Sequence, residues 1–496
     1  MLGERALASP RGRAHLALSV GMLVLLGIAA WVLRVPGRDL QAAEPNDDHA
    51  APASLYMPLV MRNYPPQPTI FGVEVSAGKV PAVAEAMPGL ASSWIRVGAA
   101  LWSAVEPQPG TYNWDALERL EEDLRLASAN GLVPIVPVKW TPPWAQKVPG
   151  YPCGPIKEEA LDDFAAFMAA LVRRYSGPPY NVRYWEIWNE PDAAYQLVPP
   201  EGGYGCLGDA EDPYYGGGEY AALLKAVYPA VKAANPTAQV VFGGLLLDCD
   251  PTRPPQGKDC APARFLEGAL RAGGGAYFDI LAYHAYPHWF RRGEPVDWDL
   301  NHFAWRHRGG ILLGKLDFLR EVMGRYGVDK PVFMNEGGLL CHPTTPDCNE
   351  GGAFKELFHQ DQANYAVRLF MRGWAAGLKG ITWYTLNGPG WREGGLLDAD
   401  QKPRPAYRTL RFLVSRFRGA RYVGEVSRDG VEGYAFQRGG TRLTVYWRND
   451  GMTTPVALPS GVAAVYNYRG EPITAQVQGN TISVGFEPVI VESTGP

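Results

Sequence analysis

Two short segments each close an apolar, β-branched run with a glutamate. One is Trp185-Glu186-Ile187-Trp188-Asn189-Glu190-Pro191-Asp192 and the other is Phe333-Met334-Asn335-Glu336-Gly337-Gly338. A carboxyl group can hold a proton and release it, or stay ionised and attack an electrophilic carbon. Two of them facing one bond can therefore divide acid and nucleophilic work. Cleavage of a glycosidic bond requires this pair: one protonates the leaving oxygen while the other attacks the anomeric carbon. At a separation of about 5 Å the reaction passes through a covalent glycosyl intermediate and retains configuration. The plain alternative for Glu190 and Glu336 is a pair of structural carboxylates. Glu186 shares the strand parity of Glu190 but lies four residues earlier, so it reads as a buried partner of a basic residue.

The elements that must carry these groups are legible from Thr69 onward. Strand candidates are TIFGVEVS, SSWIRVG, VPIVPVKW, VRYWEIWN, QVVFGGLL, FDILAYHAY, KPVFMNE and GITWYTLN. Between them lie helical stripes, such as Leu117, Leu120 and Leu124 with Gly131 as a stop, and Leu161, Phe164, Phe167, Met168 and Leu171. Further helices are expected near 218–234, 262–272, 311–326, 355–377 and 405–417. This α/β alternation predicts a (β/α)8 TIM barrel over residues 69–419. A doubly wound open sheet is the alternative, but FGVEVSAGK is not the glycine-rich phosphate fingerprint that would follow its first strand. In a TIM barrel the reacting groups stand at the C-terminal ends of the strands, and strands four and seven deliver Glu190 and Glu336 there. Residues 420–496 read as a small β-sandwich, with runs RYVGEV, VEGYAFQ, RLTVYW, AAVYNY, ITAQVQ, TISVGF and PVIVES between tight turns. Packing against the barrel is its expected role, with carbohydrate binding as the alternative.

On Asn189-Glu190-Pro191, the position of Glu336 and Arg96 in Trp94-Ile95-Arg96-Val97, the stretch 69–419 resembles glycoside hydrolase clan A. The WEIWNEPD form is most similar to family 39, with families 5 and 42 also close. The resemblance implies a retaining glycoside hydrolase with Glu190 as acid/base and Glu336 as nucleophile, needing neither metal nor organic cofactor. It implies that Arg96 holds the nucleophile ionised and that Asn189 bonds the sugar 2-hydroxyl. It also implies that Tyr286 orients Glu336, that His284 touches Glu336 or the sugar, and that Trp383 floors the subsite of the cleaved sugar. Strand three ends in Lys139-Trp140, where several clan families place a histidine. Trp102, Trp140 and Trp391 are strand-end or loop aromatics that either stack on sugar or simply pack. A surface carbohydrate-binding protein without activity and a transglycosylase are the rival functions.

The remaining signals concern location and partners. Arg5, Arg11 and Arg13 precede an uncharged apolar run from Leu16 to Leu33, which reads as a signal anchor or a cleaved signal peptide over residues 1–33. A Pro-rich linker follows over 34–68. Membrane contact is thus expected only through the N-terminal segment, with the rest extracytoplasmic. The six cysteines agree, since an even count in an exported chain suggests disulfides: Cys249 with Cys260 and Cys341 with Cys348 are close enough to close small loops, and Cys153 with Cys206 would then be the third pair, one of the 15 arrangements that six cysteines allow. A metal site lacks the ligand spacings it would need. The net charge of -4, without long runs of one sign, excludes the basic footprint of a nucleic-acid binder. The 15 Trp and 25 Tyr gain functional meaning only beside a reaction site, and the expected partner is a carbohydrate substrate.

Overall fold

The computed structural model describes residues 69–290, 295–341 and 353–494. The N-terminal segment 1–33, the linker 34–68 and Cys348 lie outside the described residues. Among the described residues no helix is long and apolar enough to cross a membrane.

Eight parallel strands form the barrel: β1 (Gly72–Glu74), β2 (Trp94–Arg96), β3 (Val133–Lys139), β4 (Tyr184–Asn189), β5 (Gln239–Gly244), β6 (Leu281–Ala285), β7 (Val332–Gly337) and β8 (Gly380–Trp383). They pair in the order β5-β4-β3-β2-β1-β8-β7-β6. Bridges Val241 to Ile280 and Leu245 to Tyr283 join the two ends, and the His284 amide donates to Leu245 O at 2.9 Å. All eight expected strands are present.

Helices follow the strands on the outside: α1 (Glu118–Ala129), α2 (Leu161–Tyr175), α3 (Gly217–Ala234), α4 (Phe265–Arg271), α5 (Ile311–Arg325), α6 (Ala353–Ala375) and α7 (Pro405–Phe417). α2 shows why: Phe164, Phe167, Met168, Leu171 and Val172 bury one stripe. Its acidic residues open the helix and Arg173 and Arg174 close it, in accord with the helix dipole. After β1 the crossover is instead a 3-10 helix, Pro81–Leu90. Pro88 inside it has no N–H to donate, which disfavours a regular α-helix there.

Alternation along the strands stacks the barrel interior in layers. Trp94, Ile135, Val241, Ala282 and Phe333 form an apolar layer with Tyr184 packed against it. The Trp94 ring stands edge-on to both Tyr184 and Phe333, each with ring centres 4.8 Å apart. Two residues further along each strand come Arg96, Glu186, His284 and Asn335, all buried. The polar layer therefore rests on an aromatic floor.

After α7 the chain forms an antiparallel five-stranded sheet and a two-stranded one. The strands are β9 (Arg421–Glu425), β10 (Val431–Arg438), β11 (Thr441–Arg448), β12 (Thr454–Ala457), β13 (Val462–Asn467), β14 (Thr481–Val484) and β15 (Val489–Thr494). The larger sheet has the order β9-β10-β11-β15-β13, and β12 pairs with β14. Two details differ from the expected runs. ITAQVQ is not a strand: Thr474–Gln476 is a 3-10 turn, with the Thr474 hydroxyl accepting from Val465 N at 2.9 Å. β12 was hidden by Pro455, which a two-stranded edge tolerates.

Barrel and sheets belong to one compact unit. A buried cluster of charges crosses between them. Arg368 of α6 bonds Asp297 at 2.9 Å, and its guanidinium also donates to the carbonyls of Arg448 and Phe486. Arg372, one turn on, bonds Asp297 at 2.9 Å and Glu432 of β10 at 2.7 Å. Removing one member of such a cluster leaves buried charge uncompensated. Arg372→Met should therefore lower stability by about 3–5 kcal/mol, read as a reduced midpoint in urea denaturation.

Candidate active site

At the C-terminal mouth of the barrel opens a cavity of about 620 Å³, and both glutamates line it. Glu190 enters from the end of β4 with φ of +47°, a conformation that side-chain-bearing residues rarely adopt. Its amide donates to Gly244 O at 3.0 Å, and Pro191 follows. The buried Asp192 accepts from the amides of Leu246 and Leu247, both at 2.9 Å, fastening this turn to the loop after β5. Glu336 stands on β7. The ligand atoms of Glu190, His284 and Glu336 all lie within 4.8 Å of one another, so the two carboxylates face each other.

Arg96, buried on β2, joins the groups beneath. Its Nε and Nη2 donate to Glu186 at 2.8 and 3.1 Å. Nη1 donates to Glu336 and to Glu74, both at 2.8 Å, and Nη2 also donates to Asn189 Oδ1 at 2.6 Å. Glu186 is thus the buried partner of a basic residue, as its place four residues deeper on the strand than Glu190 predicted. One guanidinium cannot neutralise three carboxylates. Burial pushes the Glu74 carboxyl up to about 8 against the pull of Arg96, with the Glu336 charge adding to the rise. Glu336 goes the other way. Burial alone would raise it, but the charges of His284 and Arg96, the hydrogen bond from Tyr286 and the charge of Lys139 bring it below its ordinary value.

The β6 residues divide their contacts. The Tyr286 hydroxyl donates to Glu336 Oε1. His284 Nδ1 is hydrogen-bonded to Glu190 Oε1 at 2.8 Å and lies 3.8 Å from Glu336 Oε1. His284 was expected beside Glu336 or the sugar, and its direct partner is the other glutamate. Burial alone would lower the His284 pKa, but Glu336 and Glu190 raise it overall. Gly244 allows the ring this close: a Cβ there would stand 2.2 Å from His284 Nε2. Lys315 of α5, buried, donates to His284 O at 2.8 Å and braces the strand end.

Glu190, His284 and Glu336 are also the one group with metal-ligand potential among the described residues. Their facing atoms already accept from or bond one another, and Arg96 supplies the positive charge a cation would bring.

Two aromatic expectations change, and two that were open between stacking and packing are decided. Trp383 is fully buried and packs outward against Tyr365, with its indole N–H on Gly394 O at 2.8 Å. It does not floor the cavity: alternation along β8 turns the next residue, Tyr384, inward to line it. Trp140 turns away at φ of +75°, and Lys139 reaches the cavity instead. Trp102 is core, its N–H on Glu106 at 2.6 Å. Trp391 does line the cavity, 48% exposed, with the Arg392 guanidinium 4.2 Å from its ring centre.

Sequence reasoning missed Glu74, Tyr384 and Tyr204. Glu74 closes β1 at the barrel mouth, a position whose charge was itself the available signal. Cys153–Cys206 and Cys249–Cys260 are disulfides as expected, in the loops after β3, β4 and β5. Cys341 is disulfide-bonded too.

No protein-family model matches the chain, and no curated protein sequence matches it. Solved structures do. A family 39 glycoside hydrolase from the gut symbiont Bacteroides cellulosilyticus is 20% identical, with 86% of this chain and 81% of that chain covered at a TM-score of 0.62. A family 30 subfamily 8 xylanase from Clostridium acetobutylicum is 12% identical, with 86% and 96% covered at 0.58. A conserved exported protein from Bacteroides fragilis is 10% identical, with 85% and 97% covered at 0.60. The likeness is one of fold: a (β/α)8 barrel carrying a C-terminal β-sandwich.

A depressed carboxylate is ionised above its pKa and gains its proton as pH falls through it. Tyr286→Phe removes one of the contacts that depress Glu336. The acid limb of the pH profile of kcat/KM should therefore move to higher pH, with about a 10- to 100-fold lower plateau.

Proposed function

We propose that this chain is a retaining glycoside hydrolase of clan A, acting on O-glycosidic bonds by double displacement. The observation that carries it is the pair Glu190 and Glu336, facing within 4.8 Å over a cavity at the barrel mouth. One carboxylate oxygen of each residue thus comes as near the other as a covalent glycosyl intermediate requires. The fold shared with glycoside hydrolases of families 39 and 30 supports the same reading.

In this mechanism Glu336, kept ionised by His284, Arg96 and Tyr286, attacks the anomeric carbon. Glu190 gives its proton to the leaving oxygen, and the leaving sugar departs as an alcohol. Glu190 then takes a proton from water, which attacks the same carbon and releases Glu336 as carboxylate. Once Glu336 is esterified its negative charge no longer faces Glu190. Asn189 holds the sugar 2-hydroxyl. Its amide oxygen is already taken by Arg96, so it acts as a donor. Tyr384 and Trp391 offer aromatic faces to the sugar. The disulfides support a site of action outside the cytoplasm.

A panel of aryl glycosides and polysaccharides tests the proposal, with Glu336→Gln and Glu190→Gln in parallel. Glu336→Gln should lower kcat by about 10⁴-fold or more. Glu190→Gln should cost about 10²- to 10⁴-fold, least with good leaving groups. The first product seen by NMR should keep the anomeric configuration of the substrate. Undiminished activity in Glu336→Gln would rule out the nucleophile. Binding without turnover in the wild type would favour a carbohydrate-binding protein, and transfer to an added acceptor sugar would favour a transglycosylase.

A further inference from the structure

Among the described residues few buried polar side-chain atoms lack a protein partner, and three of those belong to two neighbours in the site. They are His284 Nε2 and both amide atoms of Asn335, the residue before Glu336 on β7. Both side chains are shut away from solvent. Gly244 of β5 brings them together: a Cβ there would stand 2.2 Å from His284 Nε2 and 2.7 Å from Asn335 Oδ1. The two atoms therefore border the same small space. Glu186, another acceptor beside Gly244, is already taken by the Gly244 amide and by Arg96.

Asn335 and Glu336 both turn inward because β7 carries a bulge. Tyr283 pairs with Met334 but His284 with Glu336, and on the other side Ile381 pairs with Met334 but Trp383 with Gly337. One extra β7 residue thus faces both neighbouring strands, the device by which a strand re-aims a side chain. The Asn335 carbonyl is held by the Thr382 hydroxyl, which donates to it.

At its other nitrogen His284 meets Glu190, Nδ1 to Oε1 at 2.8 Å. When Glu190 carries the proton, Nδ1 is the acceptor, and a neutral imidazole then has its own proton on Nε2. When the proton sits on Nδ1 of an imidazolium, Nε2 bears one as well. A neutral imidazole protonated on Nδ1 instead requires an ionised Glu190, which has no proton to give. Every form that keeps a transferable proton between the two residues therefore puts N–H on Nε2. A buried N–H needs an acceptor, and that acceptor decides the tautomer.

We propose that Asn335 is a positioning residue for the acid: its Oδ1 accepts the Nε2 proton of His284, which turns Nδ1 toward Glu190 as an acceptor and keeps Glu190 in its proton-bearing form. The consequence for rate rests on the glycosidase reading; the hydrogen bond does not.

Two-dimensional proton–nitrogen NMR of the full chain with isotope-labelled histidine reads the bond directly, the His284 signal being identified by its loss in His284→Gln. The wild type should show a slowly exchanging Nε2–H. Asn335→Asp keeps an acceptor and should retain it, while Asn335→Leu and Asn335→Ala should lose it or exchange it at least about tenfold faster. kcat/KM is measured alongside on phenyl and 2,4-dinitrophenyl β-D-xylosides and β-D-glucosides. The Leu and Ala variants should lose about 10- to 100-fold on the phenyl glycosides, whose leaving oxygen needs a proton. They should lose no more than about threefold on the dinitrophenyl ones. A bare Nε2 in the wild type would overturn the proposal. Equal losses on both leaving groups, or no loss at all, would make Asn335 merely structural and overturn it too. A wild type inert on all these glycosides, with the Nε2–H present and lost as expected, would overturn the glycosidase reading while upholding the hydrogen bond. Two truncations of different size, with melting temperatures compared, keep the test open if one fails to fold.

Discussion

A buried arginine among carboxylates is the constraint on which the site depends. Arg96 is almost wholly removed from water, and a lone cation there would be prohibitively costly. Glu186 meets it in a two-point pair, and that pairing sets the plane of the guanidinium. The remaining N–H groups then point at Glu336, Glu74 and Asn189. Residues from strands one, two, four and seven are thereby locked to one planar group. The aromatic layer of Trp94, Tyr184 and Phe333 beneath excludes water from it.

Charge counting around that arginine divides the acids into different roles. Glu186 is fully engaged, Glu336 is held toward its ionised form, and Glu74 toward its protonated form. Glu190 stands apart from the guanidinium and meets His284 instead. Two carboxyl groups of one cavity therefore have unlike surroundings, the condition under which one can attack while the other carries a proton. The backbone contributes as well: the left-handed turn at Glu190 is sustained by Pro191, Asp192 and the loop after β5. Arg368 and Arg372 couple helix α6 to the C-terminal sheets, so the helix that joins β7 to β8 is backed by them.

The fold was legible because its periodicities are strong. All eight barrel strands and the helical stripes between them follow from spacing, and the positions of Glu190 and Glu336 follow from counting strands, whereas Arg96 and Tyr286 were singled out by the resemblance to clan A. Legibility failed where a single residue of register or a turn decides. Trp383 and Tyr384 are neighbours, and only the pairing of β8 with β1 and β7 shows which one faces inward. Trp140 was lost to a positive φ that sequence does not announce. Glu74 needed the exact end of a three-residue strand. The partner of His284 depends on how the β4 turn aims Glu190, a tertiary matter that spacing cannot express.

The central claim is that Glu336 forms the covalent bond to the sugar. Incubation with an activated 2-deoxy-2-fluoro glycoside slows release of such an intermediate more than its formation. Proteolysis and mass spectrometry then locate the label. The account predicts one sugar equivalent per chain, attached to the peptide containing Glu336 and absent in Glu336→Gln. A label on Glu190 or Glu74, or inhibition without any covalent adduct, would contradict it.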